Sequence, residues 1–294
     1  MTPPPTHTDS ANGLSESRDG DSETIHHARS VRGSRASLQT QSSQNKIQQT
    51  VFVVLPAYNE ARGLPSLLKK IKQVFDDNSR RYHIIVVDDC SSDDTAALAA
   101  EAASGMPFTL LQHEVNQNLP GALRTGLNQA SLMAYDDDIV ITMDGDNTHP
   151  PGAMNLLLQK MHEGYDVAIA SRFRPDSRVF GVPRSRVLTA FGARMLFKLA
   201  MPIDGVRDYT CGYRAYHISA LRKTMDFYGD EFISEKGFSC MADVLLKMRR
   251  FNFAMGEVPF LLRYDEKAGE SKMKVVQTIR QTLSLLIRRR FGRY

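Results

Sequence analysis

The chain has 294 residues, of which 42% are hydrophobic and 24% charged, and its net charge is +4. This length and composition allow one large α/β domain with extensions, or two small domains. No run of about 18 apolar residues occurs, which excludes a bilayer-spanning helix. Three scattered cysteines without a C-x-x-C pair exclude a disulfide framework. The mildly basic balance suits nucleotides, phospholipids or nucleic acid and selects none of them.

Residues 1–48 form the first predicted segment, which is rich in Ser, Thr, Gln, Pro, Gly and Arg and poor in large apolar side chains. Such a segment buries too little surface to offset the entropy lost on ordering, so we predict a disordered extension. Its first residues lack the basic and then apolar pattern of a secretory signal. Together with the cysteine usage, this predicts a protein of the reducing cytoplasm.

Five continuous apolar runs follow in chain order, at residues 51–55, 84–87, 108–111, 139–143 and 167–170. Continuous rather than alternating runs are typical of strands buried on both faces of a mostly parallel sheet. Helical patterns lie between them at residues 64–75, 95–103 and 122–134. The alternation predicts a doubly wound, Rossmann-like α/β fold whose ligands bind at the carboxyl ends of the strands.

Asp144-Gly145-Asp146 directly follows the fourth run. Two carboxylates one residue apart at a strand end suit a hard divalent cation, which in turn bridges the oxygens of a diphosphate. The same residues are also good turn formers. The segment alone therefore leaves a metal site and a plain polar turn open.

Two further polar clusters follow the second and the first run. The pair Asp88-Asp89 fits a base or ribose pocket, the cap of the next helix, or the phosphoacceptor site of a receiver-like domain. Tyr58, Asn59 and Glu60 fit a base pocket or an ordinary loop before a helix. Each segment alone leaves these alternatives open.

Taken together, the segments resemble family 2 glycosyltransferases of the GT-A fold, specifically the dolichol-phosphate mannose synthase type. The resemblance covers residues 51–272 through the motifs VVLPAYNE (53–60), IIVVDDCSSDDT (84–95), MDGDNTHPP (143–151), SRF (171–173), DYTCGYRAY (208–216), EKGF (235–238), EVPF (257–260) and GESKM (269–273). We therefore expect a GT-A domain over residues 49–272.

The resemblance also implies which residues form the site. Those expected to bind the donor are Pro56, Tyr58, Glu60, Asp88, Asp89 and Asp144. Those expected to bind Mg²⁺ or Mn²⁺ are Asp144 and Asp146. The basic residues that match phosphate oxygens of the acceptor are Arg172, Arg186 (or Arg184), Arg214, Arg263 and Lys272. The residues given catalytic roles are Asp146, Arg214, Asp243 and Lys272.

An acceptor phosphate is already anionic and needs only positioning and charge neutralisation, whereas a hydroxyl acceptor needs a general base. Asp243 is the candidate base, and a buried partner for one of the arginines is its alternative role. Two departures from the family pattern stand out. Thr148 lies where relatives often carry a further ligand, glutamine, and the loop before the third helix has Asn118 and Pro120 instead of glycines. Since Asn tolerates positive φ and Pro does not, we expect this loop to be shaped differently.

Residues 273–294 combine an apolar helical stripe with a cluster of arginines at positions 288–290 and 293. Such a stripe is typical of a helix docked on the core, and a basic amphipathic helix also suits an anionic membrane surface. The chain has no tryptophan and hence no Gln-x-x-Arg-Trp motif of processive polysaccharide synthases. Transfer of a single sugar is therefore favoured.

These features together imply an inverting, metal-dependent transfer of one hexose, mannose first, from a GDP- or UDP-sugar to a polyprenyl (dolichyl or undecaprenyl) phosphate. The enzymatic alternative is transfer to a hydroxyl of a glycan or small molecule. A non-catalytic sugar-nucleotide-binding or regulatory module is the third. The expected partners are the nucleotide sugar, the polyprenyl phosphate, the cytoplasmic face of a membrane and a separate membrane protein, with no nucleic acid.

Overall fold

A computed structural model describes residues 49–266 and 275–290. The strands are β1 (Thr50–Ala57), β2 (Arg81–Asp88), β3 (Phe108–Gln112), β4 (Ile139–Thr142), β5 (Val167–Ser171), β6 (Arg178–Phe180), β7 (Arg214–His217), β8 (Met255–Pro259) and β9 (Leu261–Arg263). The helices are α1 (Leu64–Asp77), α2 (Thr95–Ala102), α3 (Asn118–Met133), α4 (Ala153–His162), α5 (Arg184–Ala200), α6 (Ile218–Tyr228), α7 (Ser239–Arg249) and α8 (Val275–Arg290).

The central sheet has seven strands in the order β3-β2-β1-β4-β7-β5-β8, and β6 pairs with β9 in a separate small sheet. All neighbouring pairs of the central sheet are parallel except those made by β7, which runs antiparallel to β4 and β5. All five apolar runs of the sequence are strands of this sheet. The predicted α/β class with a mostly parallel sheet is thereby confirmed.

Burial explains why continuous apolar runs became strands. In β1, Val51 to Leu55 are each at most 4% exposed, because helices cover both faces of the sheet. The helix α1 buries Leu64, Leu67, Leu68, Ile71 and Phe75, which recur at helical spacing on one face. The core therefore lies along the sheet, and the strand ends are left for polar residues.

The antiparallel strand β7 determines which loops meet. Its first residue, Arg214, pairs with Thr142 at the carboxyl end of β4. The Thr142 hydroxyl donates to the carbonyl of Gly212 at 2.8 Å, which fixes the chain just before β7 against the end of β4. Residues 208–213 thus reach the edge of the sheet that carries Asp144-Gly145-Asp146, which we call the acidic turn.

The loop before α3 accommodates its unusual residues. Asn118 has a φ of 61°, a left-handed conformation that asparagine tolerates. Pro120 lies in the first turn of α3, where a missing N–H removes no intrahelical hydrogen bond. The departure from glycine therefore begins the helix earlier than the predicted residue 122.

Several predictions concern residues that the structure does not describe. The predicted disordered extension, residues 1–48, lies outside the described ranges, as do the predicted boundary at residue 272 and Lys272. In the C-terminal segment, α8 packs on the core through Leu285 and Leu286, which are 0% and 6% exposed. Within the described ranges, no helix combines the length and apolarity that a membrane crossing requires.

Candidate active site

The acidic turn after β4 lies between the ends of two other strands. A Cβ atom added to Gly145 would stand 2.9 Å from the carbonyl oxygen of Pro56 in β1. One added to Gly212, before β7, would stand 3.4 Å from Oδ1 of Asp144. The Asp144 side chain is 36% exposed, so its carboxylate is accessible to a ligand. Glycine at both positions therefore lets three chain segments converge at Asp144 and Gly145.

Thr148 orients the second carboxylate of the turn. Its backbone N–H and its hydroxyl both donate to Oδ1 of Asp146, at 3.1 and 2.7 Å. The hydroxyl of Thr148 is thus used as a donor to the predicted metal ligand Asp146. This contact agrees with its exclusion from the predicted ligand set.

His149 holds the backbone of Asp144, and the sequence analysis missed it. Its Nδ1 accepts a hydrogen bond from the backbone N–H of Asp144 at 3.3 Å, so the neutral ring carries its proton on Nε2. That Nε2 lies 3.9 Å from Oδ2 of Asp144. The ring is 5% exposed and stacks on Tyr213 with a centroid distance of 5.2 Å. The His-Pro-Pro sequence after the turn was the available signal.

The carboxylates of Asp144 and Asp146 fit a divalent cation whose other ligands come from its substrate. In the part of the chain that the structure describes, no group of three or more His, Cys, Asp or Glu side chains forms a metal cage. Mg²⁺ in nucleotide sites is usually held by one or two carboxylates, with phosphate oxygens and water completing the octahedron. The acidic turn therefore suits a metal that arrives with a diphosphate.

Hydrogen bonds join the loops after β1 and β2 into one donor-side edge. Ser91 donates its hydroxyl and its backbone N–H to Oδ1 of the buried Asp88, the latter at 3.3 Å. The Ser91 hydroxyl accepts from the Asn59 N–H at 2.8 Å, and the Ser92 N–H donates to the Asn59 side chain at 2.8 Å. The predicted donor residues of these two loops are thus brought to one edge of the sheet.

Tyr58 and Glu60 lie in the first of these loops. Tyr58 is 37% exposed, which leaves its ring accessible for stacking on a base. The Glu60 N–H donates to the Thr95 hydroxyl at 2.8 Å, at the start of α2. Pro56 pairs with Val87 in the sheet, one residue before Asp88.

Asp89 differs from Asp88 in its contacts. Its Oδ1 is 2.7 Å from Nδ1 of His113 and accepts the N–H of Gln117 at 2.7 Å. The other ring nitrogen of His113 lies 2.9 Å from the Thr125 hydroxyl of α3. Asp89 thus ties the donor-side edge to the loop that leads into α3. Its donor contact stays a prediction.

Arg172 is held by a buried carboxylate next to the acidic turn. Its Nε and Nη2 donate to the two oxygens of Asp208 at 2.7 Å each, and Nη2 also donates to the Thr210 hydroxyl at 2.6 Å. Burial opposes the charge of Arg172, but Asp208 and, more weakly, Asp144 raise its pKa above the ordinary value. The guanidinium is therefore a fixed cation whose field reaches the Asp144 carboxylate.

The loop that carries Asp208 is fixed from behind by Glu257 of β8. Oε1 of Glu257 accepts the backbone N–H groups of Arg207 and Asp208 at 2.6 and 2.7 Å. Burial raises the pKa of the Glu257 carboxyl, and these N–H groups lower it in part. The sequence analysis included the EVPF motif without giving Glu257 a role; the structure shows that it holds the Arg172 partner in place.

Arg263 also lies near the acidic turn. Its backbone N–H donates to the carbonyl of Thr148 at 3.1 Å, and its guanidinium binds Asp265 at 2.9 to 3.3 Å. The side chain is 37% exposed. Arg263 and Arg172 therefore supply two cations at the edge of the sheet that carries the acidic turn.

The sequence model described as Glycosyl transferase family 2 matches residues 52–225, which is more than half of the chain. The chain is a family 2 glycosyltransferase. The matched range contains the acidic turn, the donor-side edge and Arg172.

This glycosyltransferase is 32% identical over 225 residues to the dolichol-phosphate mannosyltransferase of Pyrococcus furiosus, covering 76% of this chain and 59% of that protein. The chain thus spans less than two thirds of the length of this relative. It is 30% identical to the polyprenol monophosphomannose synthase of Mycolicibacterium smegmatis, covering 76% of this chain and 81% of the relative.

Among solved structures, glucosyl-3-phosphoglycerate synthase from Mycobacterium tuberculosis in complex with Mn²⁺, UDP-glucose and phosphoglyceric acid is similar, with a TM-score of 0.57. The similarity covers 83% of this chain and 80% of that one at 20% identity, so it bears on the fold alone. The predicted GT-A fold is confirmed by it.

In this glycosyltransferase, Arg214 does not lie where the sequence analysis expected it. The side chain is 0% exposed, and its Nη1 and Nη2 donate to the carbonyls of Met241 and Tyr209 at 2.6 and 2.8 Å. A guanidinium in this position cannot receive an acceptor phosphate without unpacking the core. The expected acceptor-phosphate and catalytic roles of Arg214 are therefore corrected to a positioning role behind the site.

Asp243 requires a similar correction. It is 0% exposed on α7 and forms ion pairs with Lys247 at 2.6 Å and with Arg289 of α8 at 2.8 Å. A carboxylate that is buried between two cations has no access to a substrate hydroxyl. Of its two alternative roles, the buried partner of an arginine is the one that the geometry supports.

Two further acceptor residues cannot be placed. Arg186, with its alternative Arg184, begins α5, and these side chains lie outside the described part of the structure. Lys272 lies outside it altogether. Their roles toward the acceptor phosphate stay predictions.

The cysteines carry no visible chemistry. All three are free thiols, and burial raises the pKa of Cys211 and of Cys240 to about 12. The two buried thiols are therefore neutral at physiological pH and act as small core residues, as interpreted from the sequence.

The close approach at Gly145 leads to a prediction. Gly145→Ala places a methyl group against a backbone carbonyl, and we expect a loss of about 1–3 kcal/mol in the free energy of unfolding together with slower sugar transfer. Gly152→Ala is the matched control, because its φ of −56° is helical and no atom lies within 4 Å of its added Cβ. Chemical denaturation measures both variants; equal stabilities would contradict the close approach.

Proposed function

We propose that this glycosyltransferase moves a single hexose, mannose first, from a GDP- or UDP-sugar to a polyprenyl phosphate with inversion at the anomeric carbon. The observation that carries the proposal is the meeting of the acidic turn, the donor-side edge and the cations Arg172 and Arg263 at one edge of the sheet. Such a site holds two phosphate-bearing substrates at once. The named activities of the two relatives support the choice of sugar and acceptor.

Asp144 and Asp146 would hold the Mg²⁺ or Mn²⁺ ion. When bound, such an ion neutralises the negative charge that develops on a departing nucleoside diphosphate. Thr148 keeps the Asp146 carboxylate oriented and His149 holds the backbone of Asp144 before the substrate arrives, so little reorganisation is left for the reaction itself.

The donor nucleotide is assigned to Pro56, Tyr58, Glu60 and Asp88, with Asp89 holding the adjacent loop. The exposed Tyr58 ring offers a stacking face for the base, and Asp88 accepts hydrogen bonds at the end of β2. Neither contact distinguishes guanine from uracil, so both nucleotides stay in the proposal.

The state of Asp243 favours the phosphate acceptor over a hydroxyl acceptor. A phosphate monoester is anionic at neutral pH and attacks without a general base, whereas a hydroxyl must lose its proton. The residue proposed as that base is neutralised by Lys247 and Arg289 inside the core. Arg172 remains partly accessible beside the acidic turn, because its side chain is 23% exposed while Asp208 binds two of its nitrogens.

A polyprenyl phosphate lies in a bilayer, so the proposed reaction takes place at the cytoplasmic face of a membrane, by direct contact or with the help of a separate membrane protein. Both the membrane location and the membrane protein are proposed because the acceptor is a lipid.

The direct test incubates the full-length protein with Mg²⁺ or Mn²⁺, radiolabelled GDP-mannose or UDP-hexoses, and polyprenyl phosphate dispersed in detergent. We expect label to move into the organic phase and to be released by mild acid, as a glycosyl phosphate is. The matched control is the corresponding polyprenol, which has a hydroxyl in place of the phosphate. Label on the polyprenol, or none on the phosphate with any donor, would contradict the proposed acceptor.

A further inference from the structure

Helix α5 exposes an apolar face to solvent. Its large apolar side chains with 41% to 78% exposure are Val187, Leu188, Phe191, Met195, Leu196 and Leu199. At about 3.6 residues per turn they fall on one half of the helix, opposite the buried Phe197. A surface helix usually turns its apolar stripe to the core, so an outward stripe marks an interaction surface.

Helix α8 carries a second exposed apolar row. The two helices are in contact. While α8 buries Leu285 and Leu286, it exposes Ile279, Leu283 and Ile287, which are spaced four residues apart and so lie on one side. We call the exposed apolar residues of both helices the α5–α8 surface. This surface comprises side chains of two helices in contact, so it does not depend on a single exposed leucine.

The α5–α8 surface adjoins the edge of the sheet where the acidic turn lies. The guanidinium of Arg194 on α5 lies 4.9 Å from the centre of the Phe173 ring. Phe173 follows Arg172, the cation next to Asp144, at the carboxyl end of β5. A ligand on this surface would therefore be close to the proposed acceptor side of the active site.

The charges carried by the two helices are of one sign. Neither Arg184–Ala200 nor Val275–Arg290 contains an aspartate or glutamate. Their basic residues are Arg184, Arg186, Arg194, Lys198, Arg280, Arg288, Arg289 and Arg290. Arg288 and Arg289 bind Glu235 and Asp243 of the core. Apolar side chains among cations, without anions, match the headgroup region of an anionic bilayer.

A second copy of this chain fits the surface less well. A two-fold interface brings the same patch of each copy together. Here it would set Lys198 and the arginines of one copy against those of the other, with no carboxylate from either helix to compensate. The charge distribution thus distinguishes between a lipid surface and a homodimer.

We propose that the α5–α8 surface binds an anionic lipid bilayer and holds the active-site edge toward it. The sequence analysis assigned membrane contact to residues 273–294 alone. In the structure, α5 carries more of the exposed apolar side chains, because part of α8 packs on the core. The purpose of this contact rests on the proposed function, since a polyprenyl phosphate is reached from a membrane surface. The binding itself does not.

The test is flotation of the full-length protein with vesicles of phosphatidylglycerol and phosphatidylcholine, or of phosphatidylcholine alone. We expect binding to the anionic vesicles that weakens with salt and is much weaker on the neutral ones. The variant Leu188→Gln/Leu199→Gln removes two leucines that are 72% and 78% exposed. Its vesicle partition coefficient should fall about tenfold or more, because each leucine loses apolar burial in the bilayer.

The matched control is Leu132→Gln, which changes a leucine that is 82% exposed on α3, away from this surface. It should bind vesicles like the unchanged protein, and circular dichroism should show all variants folded. Equal binding of the double variant, or equal binding to neutral vesicles, would overturn the proposal. So would gel filtration showing a dimer that the double variant converts to a monomer, since the occupant is then a second copy.

The surface and the proposed function can fail separately. Transfer to detergent-dispersed polyprenyl phosphate should be unchanged in the double variant, because the detergent presents the acceptor without a bilayer. Vesicle binding without any transfer would reject the proposed function and leave the surface standing. Transfer in detergent without vesicle binding would reject the membrane-binding surface and leave the proposed function standing.

Discussion

Asp146→Asn is expected to lower kcat/KM for sugar transfer by about 10³-fold, equivalent to about 4 kcal/mol of lost transition-state stabilisation. Oδ1 of Asp146 is already oriented by two hydrogen bonds from Thr148, so the substitution keeps the shape of the turn and removes its charge. Asp144→Asn should behave alike. Initial rates measured over a range of Mn²⁺ concentrations check this, and chelation should abolish the activity of the unchanged protein.

Two controls separate a lost metal ligand from a damaged fold. Asp137→Asn changes an exposed aspartate just before β4, at the opposite end of that strand, and should leave the rate unchanged. Thr148→Val removes the hydroxyl that orients Asp146 and should cost about 10–100-fold, as loss of a group behind a metal ligand usually does. An Asp146→Asn enzyme within tenfold of the unchanged protein, or activity that survives chelation, would refute the mechanism.

The sheet was predictable wherever a strand is a continuous apolar run. The run from Val51 to Leu55 has no polar residue to make its pattern ambiguous, so continuous hydrophobicity was sufficient. The sequence analysis did not predict β7 and β8, whose sequences are Arg-Ala-Tyr-His and Met-Gly-Glu-Val-Pro. They contain charged side chains that can be buried only when residues distant in the sequence pair with them. Arg214 can lie in a buried strand because the carbonyls of Tyr209 and Met241 accept hydrogen bonds from its guanidinium.

The site was predictable in its acidic half and much less so in its basic half. Carboxylates at strand ends are brought together by the topology of a parallel sheet, so position in the sequence was informative. An arginine is different, because the same residue type binds phosphate when exposed and holds the core when buried. Arg172 is partly exposed and Arg214 is buried, and the partners that hold them lie 36 and 27 residues away.

Asp243→Asn is expected to destabilise the protein by about 3–5 kcal/mol, because removing one partner of a buried ion pair leaves the others uncompensated. Here two cations, Lys247 and Arg289, are 1% and 8% exposed and would lose their carboxylate. The melting temperature should fall by about 10 °C for a domain of this size. Calorimetry or denaturant titration measures the change.

The pH dependence of this loss has a definite sign. Burial lowers the pKa of Lys247, and Asp243 opposes that shift. Without the carboxylate the folded-state pKa falls further below the unfolded value. Between these two values the unfolded chain binds more protons, so stability rises with pH. The deficit of the variant should therefore shrink as pH rises toward the ordinary lysine pKa of about 10.4.

The same substitution discriminates between the two roles of Asp243. If Asp243 were a general base, Asp243→Asn would abolish transfer to a hydroxyl acceptor while the protein kept its melting temperature. A structural partner should lower the melting temperature, and the folded fraction at low temperature should still transfer sugar to a phosphate. The matched variant is Asp243→Leu/Lys247→Met/Arg289→Met, which removes the whole charge cluster. Its stability should exceed that of Asp243→Asn, because a neutral apolar cluster leaves no buried charge unpaired. A triple variant no more stable than the single one would show that the pairing energy is not what Asp243 contributes.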